Sequence, residues 1–226
     1  MALEGVTAAL GSVAARIEQA ARRAGRSPAE VRLLAVSKKQ SLEKIREAYA
    51  AGQRDFGENY AQELADKAAA LADLPQIRWH FVGHLQRNKA KLVAPRCELI
   101  HTLDSVELAD ALLKRTDRSR LRCLIEVNLG GESQKGGVAR DGVGSLCEQL
   151  SALPRLSLEG LMCLPPLTGE PRTYFRALRE LRDGIVQRLG MPLPELSMGM
   201  SDDFEAAIEE GATWIRLGTV LFGPRG

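Results

Sequence analysis

Lys38 is the residue whose place in the sequence most directly suggests chemistry. It follows the apolar segment Val31–Ser37, which has the length and composition of a buried β-strand that ends at a loop. If strands and helices alternate in a closed barrel, reactive and binding groups gather at the C-terminal ends of the strands. A lysine amine at that end can condense with an aldehyde, so the sequence indicates a carbonyl-binding site.

Two more polar side chains are predicted to point toward the barrel axis beside Lys38. Side chains alternate along a strand, and the aromatic neighbours of His80 suit the surrounding helix layer, which leaves His80 inside. The apolar neighbours of Arg216 also suit that layer, so its guanidinium is predicted to point inward. Lys38 has the same parity as Leu34 and Val36 and is expected to share that cavity.

The loops after the last two predicted strands carry residues suited to a phosphate group, which barrels of this type often bind there. Ser201 is a suitable N-cap for a helix predicted to start at Asp202, and Gly218, followed by Thr219, lets the backbone approach a ligand. Capping and turning alone are equally simple roles for Ser201 and Gly218. The neighbouring carboxylates of Asp202 and Asp203 would repel a dianion unless they turn away from it.

The elements that must position these residues alternate along the whole chain. The predicted strands cover residues 31–37, 54–57, 77–82, 98–103, 121–129, 156–163, 195–199 and 213–218. The predicted helices cover 3–24, 42–51, 59–71, 106–115, 140–150, 172–189 and 202–210. This alternation predicts an α/β fold, a (β/α)8 TIM barrel with an extra N-terminal helix, and one domain over residues 1–226.

Composition narrows the classes of partner. The chain has 226 residues and a formal charge of +2, with basic and acidic residues interleaved, so we expect it to bind neither nucleic acid nor a membrane. Its cysteines are far apart in the sequence, which indicates reduced, buried thiols and no metal site. The segment Met1–Arg26 lacks the apolar centre of a signal peptide. We therefore expect a cytoplasmic protein, and a monomer.

Six short motifs occur in the same order as in one known family. They are Ala35-Val36-Ser37-Lys38, Phe56-Gly57-Glu58-Asn59-Tyr60, Trp79-His80-Phe81-Val82-Gly83, Leu85-Gln86-Arg87-Asn88-Lys89, Leu196-Ser197-Met198-Gly199-Met200-Ser201-Asp202-Asp203 and Arg216-Leu217-Gly218-Thr219. Together they resemble the pyridoxal phosphate homeostasis protein family, over about residues 31–225. Each motif alone is weak evidence, whereas six in one order are highly specific.

The resemblance implies a fold, a cofactor and a role. The family is similar to the barrel domain of alanine racemase, the type III fold of pyridoxal phosphate proteins. It carries pyridoxal 5'-phosphate (PLP) as a Schiff base on the lysine that matches Lys38. It is associated with intracellular vitamin B6 balance and has no established catalytic reaction, so the resemblance implies PLP-dependent apoenzymes as candidate partners.

The match, combined with the chemistry above, implies seven cofactor-binding residues: Lys38, Asn59, His80, Ser201, Arg216, Gly218 and Thr219. Ser201, Gly218 and Thr219 would hold the phosphate. Arg216 would face the pyridine nitrogen. A permanently charged guanidinium there favours the unprotonated ring and makes it a weaker electron sink. Asn59 and His80 would contact the ring or its hydroxyl, although a purely structural role suits His80 equally well.

Two alternatives stay open at this point. A PLP-dependent amino-acid racemase would use the same barrel, but it needs a second acid or base, which in alanine racemase is a tyrosine from a C-terminal domain. The sequence ends at Gly226, just after the last predicted strand, so we expect that domain to be absent. Alternatively, the barrel binds another phosphorylated metabolite and Lys38 only supplies charge.

The segments 86–89 and 131–137 are predicted to border the open face of the ligand, or merely to order loops.

One departure from the family pattern concerns the loop after Lys38. The family commonly has Lys-Thr-Lys-Pro, whereas this chain has Lys38-Lys39-Gln40-Ser41. We expect a difference in the shape of this loop but not in the role of Lys38.

Overall fold

Eight parallel strands close into a barrel in the computed structural model, which describes residues 5–132, 136–166 and 169–223. The barrel strands are β1 (Arg32–Val36), β2 (Asp55–Glu58), β3 (Arg78–Phe81), β4 (Cys97–Leu103), β5 (Leu121–Asn128), β7 (Leu156–Cys163), β8 (Glu195–Ser197) and β9 (Trp214–Leu217). Pairing of β1 with β9 and of β4 with β5 completes the ring. A short strand, β6 (Val138–Ala139), pairs with the end of β5.

Helices surround the barrel and link successive strands. They are α1 (Val6–Arg23), α2 (Leu42–Ala50), α3 (Ala61–Ala70), α4 (Ala90–Val93), α5 (Val106–Leu113), α6 (Val143–Ser151), α7 (Pro171–Leu189), α8 (Phe204–Glu209) and α9 (Thr219–Phe222). Single 3₁₀ turns cover Pro28–Glu30, Arg87–Lys89 and Arg140–Gly142. The predicted barrel and its extra N-terminal helix are confirmed, whereas β6, α4 and α9 were not predicted.

Local sequence signals account for several of these boundaries. The Ser41 hydroxyl caps α2 by accepting the Lys44 amide, and Pro171 begins α7 with its fixed φ. Gly190 ends that helix in the left-handed conformation at φ 64°. No helix in the described ranges is both long and apolar enough to cross a membrane.

The alternation of side chains along the strands is as the sequence predicts. Trp79, Phe81, Ile215 and Leu217 belong to the large apolar core between the strands and the helices. A second, smaller apolar cluster lies inside the barrel and consists of Leu34, Val82, Leu99, Leu124, Met162 and Trp214. The inward residues of one strand thus pack against those of the others, and polar groups of the same parity point into the same interior.

The start of α8 corrects one prediction. The helix begins at Phe204 rather than at Asp202, and its N-cap residue is Asp203. The Asp203 carboxylate accepts a hydrogen bond from the Met200 amide at 2.6 Å, whereas Ser201 lies in the preceding turn. The predicted capping role of Ser201 is therefore wrong, because Asp203 is the N-cap residue and its carboxylate binds the backbone of the preceding loop.

Candidate functional site

A cavity of about 940 Å³ opens at the C-terminal ends of β1, β8 and β9. Its lining consists of Arg16, Val36, Lys38, Gln40, Asn59, Val82, Leu164, Met200, Ser201, Asp202, Arg216, Gly218, Thr219 and Val220. All the residues predicted from the sequence to bind a cofactor are present in this lining except His80. The volume is that of a site for a small molecule or cofactor.

Lys38 sits at the mouth of β1, and α3 holds the backbone on both sides of it. The Lys67 ammonium donates to the carbonyl of Ser37 at 2.6 Å, while the Lys39 amide donates to Glu63 Oε1 at 2.6 Å. Lys39 itself adopts φ 58°, an uncommon conformation for a residue with a side chain. These bonds fix where the half-buried Lys38 side chain leaves the backbone.

A buried charged cluster lies beneath this loop. Lys67 Nζ is 2.8 Å from Glu58 Oε1 and 2.7 Å from Glu63 Oε1, and the Ser37 hydroxyl donates to Glu58 Oε1 at 2.7 Å. Burial raises the pKa of the Glu58 carboxyl, and the neighbouring Lys67 opposes that shift. Because the Glu58 and Lys67 side chains are both buried, removing either one would leave the other as a buried charge without its counter-ion.

Arg216 forms part of the cavity wall and is only 4% exposed. Its Nη1 donates to Ser197 Oγ at 2.8 Å and its Nη2 donates to the carbonyl of Cys163 at 2.9 Å. Burial lowers the pKa of this guanidinium. No carboxylate in the described residues forms an ion pair with Arg216, so its charge is available to a ligand.

Asn59 is held in the cavity wall by the loop that follows β3. A Cβ atom on Gly83 would lie 2.0 Å from the carbonyl oxygen of Asn59, so the two backbones touch only because residue 83 is glycine. Asn59 Oδ1 is buried and has no hydrogen-bond partner among the described residues. A buried acceptor without a partner is unfavourable, which indicates that a ligand or water satisfies it.

The corner predicted to hold phosphate lies where β9 turns into α9. The amides of Leu221 and Phe222 donate to the Gly218 carbonyl at 3.0 and 2.9 Å and close the first turn of the helix. A Cβ atom on Gly218 would come within 3.2 Å of the Val36 carbonyl oxygen of β1. The turn is therefore packed tightly beside the mouth of β1, with Thr219 exposed next to it.

The two aspartates beside Ser201 differ in their surroundings. Burial raises the pKa of the Asp203 carboxyl, and its hydrogen bond from the Met200 amide acts against that rise. Asp202 is exposed and lines the outer part of the cavity. Of the two carboxylates predicted near the phosphate corner, that of Asp203 is thus already engaged by a backbone amide of the same loop.

His80 lies in the barrel interior rather than in the cavity lining. Its Nδ1 is 3.1 Å from His101 Nε2, and its Nε2 is 3.0 Å from Asp55 Oδ1. His101 Nδ1 is in turn 2.8 Å from Ser197 Oγ. His101 therefore has two hydrogen-bonding partners, His80 and Ser197.

Several lining residues carry no signal in the sequence. Arg16 reaches the cavity from α1, where it pairs with Glu205 at 2.6 Å and stacks on Phe204.

A smaller cavity of about 190 Å³ shares Asn59, Val82 and Leu164 with the main one. It also contains Glu126, whose carboxyl pKa burial raises.

The two motif segments predicted to border the ligand's open face have separate outcomes. Arg87 and Asn88 line a different surface cavity together with residues of α5, and Lys38 does not line that cavity. Of the segment 131–137, residues 133–135 lie outside the described residues, and Gly136 lines the smaller cavity.

The cysteines are free and buried, as predicted, and burial raises the pKa values of their thiols. Within the described part of the chain, no group of three or more histidine, cysteine or acidic side chains is arranged to hold a metal ion.

Comparisons with known proteins show the family and the fold of the chain. The family model of the alanine racemase N-terminal domain matches residues 9–226. A pyridoxal phosphate homeostasis protein from Aquifex aeolicus is 48% identical over 221 residues, covering 96% of each chain. One from Pseudomonas aeruginosa is 47% identical over 218 residues, covering 96% of this chain and 94% of the relative.

A solved structure extends the comparison to three dimensions. PipY of Synechococcus elongatus, solved with PLP bound, superposes with a TM-score of 0.80 at 38% identity. The match covers 92% of this chain and 100% of PipY. With its barrel, its lysine at the mouth of β1 and these relatives, the chain belongs to the pyridoxal phosphate homeostasis protein family.

Proposed function

We propose that this chain binds PLP in the large cavity, holds it as a Schiff base on Lys38 and serves PLP homeostasis without catalytic turnover. The observation that carries the proposal is that one cavity contains Lys38, Arg216, the amide of Asn59 and the Gly218–Thr219 turn. Two similar proteins are named pyridoxal phosphate homeostasis proteins, and PipY was solved with PLP bound, which supports the same assignment.

The residues present fit the chemical groups of PLP. The phosphate dianion would lie at Ser201, Gly218 and Thr219, where a hydroxyl and the first turn of α9 offer donors. The ring hydroxyl offers a donor to Asn59 Oδ1, the buried acceptor that has no partner in the described structure. The guanidinium of Arg216 would face the pyridine nitrogen.

Bound PLP supplies an aldehyde, which condenses with the Lys38 amine to give a Schiff base and one molecule of water. The chain's own contribution is to hold that amine in place, since α3 bonds the peptide groups on both sides of Lys38. Arg216 then limits further chemistry, because a fixed positive charge disfavours protonation of the pyridine nitrogen.

Three further expectations belong to the proposal. The cofactor would pass to PLP-dependent apoenzymes, and the chain would act as a monomer in the cytoplasm. Mixing the loaded protein with a PLP-free enzyme and following recovery of that enzyme's activity measures transfer directly. Recovery no faster than with free PLP at the same concentration would contradict a carrier role.

Absorbance and covalent trapping test the covalent link. The loaded protein should show the long-wave band of a Schiff base, and borohydride should fix a phosphopyridoxyl group on Lys38, located by peptide mass spectrometry. Lys38→Ala should lose the band, whereas Lys39→Ala should keep it, because Lys39 contacts Glu63 through its backbone amide. A label confined to Lys39 would refute the assignment to Lys38, and the absence of any band would favour another phosphorylated ligand.

A further inference from the structure

Five buried polar residues form one continuous chain of hydrogen bonds inside the barrel, here named the core relay: Asp55, His80, His101, Ser197 and Arg216. Successive side chains are 3.0, 3.1, 2.8 and 2.8 Å apart. The link between His101 and Ser197 crosses the barrel, because β4 and β8 are not neighbours in the sheet. The relay thus joins the N-terminal end of β2 to a residue of the ligand cavity.

The far end of the relay accepts hydrogen bonds only. Arg78 holds both oxygens of Asp55, at 2.7 and 2.6 Å. Burial favours the protonated carboxyl, but the hydrogen bonds from Arg78 and His80 outweigh it and lower the pKa of Asp55 to about 2. An ionised carboxylate has no proton to give, so the hydrogen between Asp55 and His80 is on His80 Nε2.

The remaining protons follow from that end in a fixed order. Burial lowers the pKa values of both imidazoles, so each ring carries one proton near neutral pH. His80 Nδ1 is then an acceptor, and the hydrogen of that contact is on His101 Nε2. His101 Nδ1 must also accept, which leaves the Ser197 hydroxyl as its donor.

The near end of the relay imposes the same direction. The guanidinium of Arg216 can only donate, so Ser197 Oγ accepts from Arg216 Nη1 while its own hydrogen points to His101. Every donor therefore meets an acceptor along the whole relay. Trp214 packs against both rings, at centroid distances of 4.8 and 6.0 Å, and limits their rotation.

We propose that His80 and His101 are both held as neutral Nε2–H tautomers, and that through Ser197 they act as positioning residues for the Arg216 guanidinium in the ligand cavity. The tautomers follow from the directions of these hydrogen bonds and from the burial of both rings, and they require no ligand. The positioning role rests on the proposed function in one respect, namely that the ligand of Arg216 is PLP. Ser197 and the Cys163 carbonyl then anchor two different nitrogens of the guanidinium and fix its plane.

Nitrogen-15 NMR of the histidine rings tests the tautomers without any ligand. The chain has three histidines, and the exposed His84 serves as an internal reference. His80 and His101 should each show a protonated Nε2 and an unprotonated Nδ1 at neutral pH. A Nδ1–H tautomer, or a doubly protonated ring, at either position would overturn the proposed relay.

PLP titration of Ser197 variants tests the positioning role. Ser197→Ala removes one anchor of Arg216 and should weaken PLP binding about tenfold. Ser197→Thr keeps the hydroxyl and should restore both the affinity and the His101 nitrogen signals. Unchanged affinity in Ser197→Ala would refute the positioning role. If the wild-type protein fails to bind PLP, the proposed function fails while the NMR result still decides the tautomers.

Discussion

Gly83 touches the backbone of Asn59 so closely that any Cβ atom at position 83 would lie 2.0 Å from the Asn59 carbonyl oxygen. The loop cannot easily move away, because the Gly83 carbonyl accepts a hydrogen bond from the Thr102 hydroxyl at 2.7 Å. The contact therefore determines where the Asn59 amide enters the cavity. If Asn59 binds PLP as proposed, Gly83 has an indirect role in ligand binding.

Gly83→Ala should weaken PLP binding about tenfold or more and lower the free energy of unfolding by about 1–3 kcal/mol, the usual range for overpacking. Isothermal titration and urea denaturation measure the two effects. Gly184→Ala is the matched control, because a Cβ atom there meets nothing within 4 Å. It should leave binding unchanged and stabilise α7 by roughly 0.5–1 kcal/mol. Equal effects of the two substitutions would contradict the role given to Gly83.

A second prediction concerns the stability contributed by the buried ion pair of Lys67 and Glu58. Lys67→Met leaves the Glu58 carboxylate buried without its cation and frees the Ser37 carbonyl. Losing one partner of a buried pair costs about 3–5 kcal/mol, and loosening the loop should also slow Schiff-base formation. The double variant Lys67→Met/Glu58→Gln should recover part of the stability. A single variant as stable as the wild type would show that the cluster contributes little.

The sequence alone predicts the features that depend on the local spacing of apolar and polar residues, namely the secondary structure and the direction of side chains along the strands. Alternation places Phe81 outward and Arg216 inward, and the order of strands and helices gives the barrel. Capping signals are less specific, because Ser201, Asp202 and Asp203 are all residue types that favour the N-cap position, and the structure has Asp203 there.

Long-range contacts could not be predicted from one sequence. Arg16 reaches the cavity through the packing of α1 on α8 and α9, which no local pattern encodes. The core relay joins residues of five strands, so neither His101 nor Ser197 shows its role until the barrel closes. The close contact of Gly83 is equally invisible, because a glycine after a strand usually indicates only a turn.

The lowered pKa of Asp55 predicts how stability depends on pH. The folded-state pKa of about 2 lies below the ordinary value of 3.8, so the stabilisation is fully present above about pH 4. It is lost as the pH falls through about 2. Asp55→Asn should reduce the free energy of unfolding by roughly 2 kcal/mol at pH 7. The difference from the wild type should shrink between about pH 4 and pH 2. Denaturant titrations across this range measure it, and a difference independent of pH would refute the explanation.

The phosphate corner predicts a ranking of ligands and variants. Pyridoxal, which lacks the phosphate, should bind at least a hundredfold more weakly than PLP, because several charge-assisted hydrogen bonds are lost. Gly218→Leu should impair binding more than Ser201→Ala, since its Cβ already crowds the Val36 carbonyl and the rest of the side chain enters the cavity. Ser201→Ala removes one hydroxyl and leaves the α8 cap at Asp203 intact. Similar affinities for PLP and pyridoxal would sink the phosphate assignment.

Racemase activity should be absent or marginal, for two separate reasons. With PLP bound as proposed, Arg216 would leave the pyridine ring a weak electron sink, and racemisation needs a second acid or base opposite Lys38. Within the described part of the chain, no tyrosine, histidine or cysteine lines the cavity with Lys38, and the one carboxylate in the lining, that of Asp202, is next to Ser201 at the predicted phosphate corner. Losing one acid or base typically slows a reaction by about a hundredfold to ten-thousandfold. Chiral analysis of alanine and serine, together with deuterium exchange at the α-carbon, measures the activity. Turnover on the order of 1–1000 per second that disappears in Lys38→Ala would establish a racemase instead of a carrier.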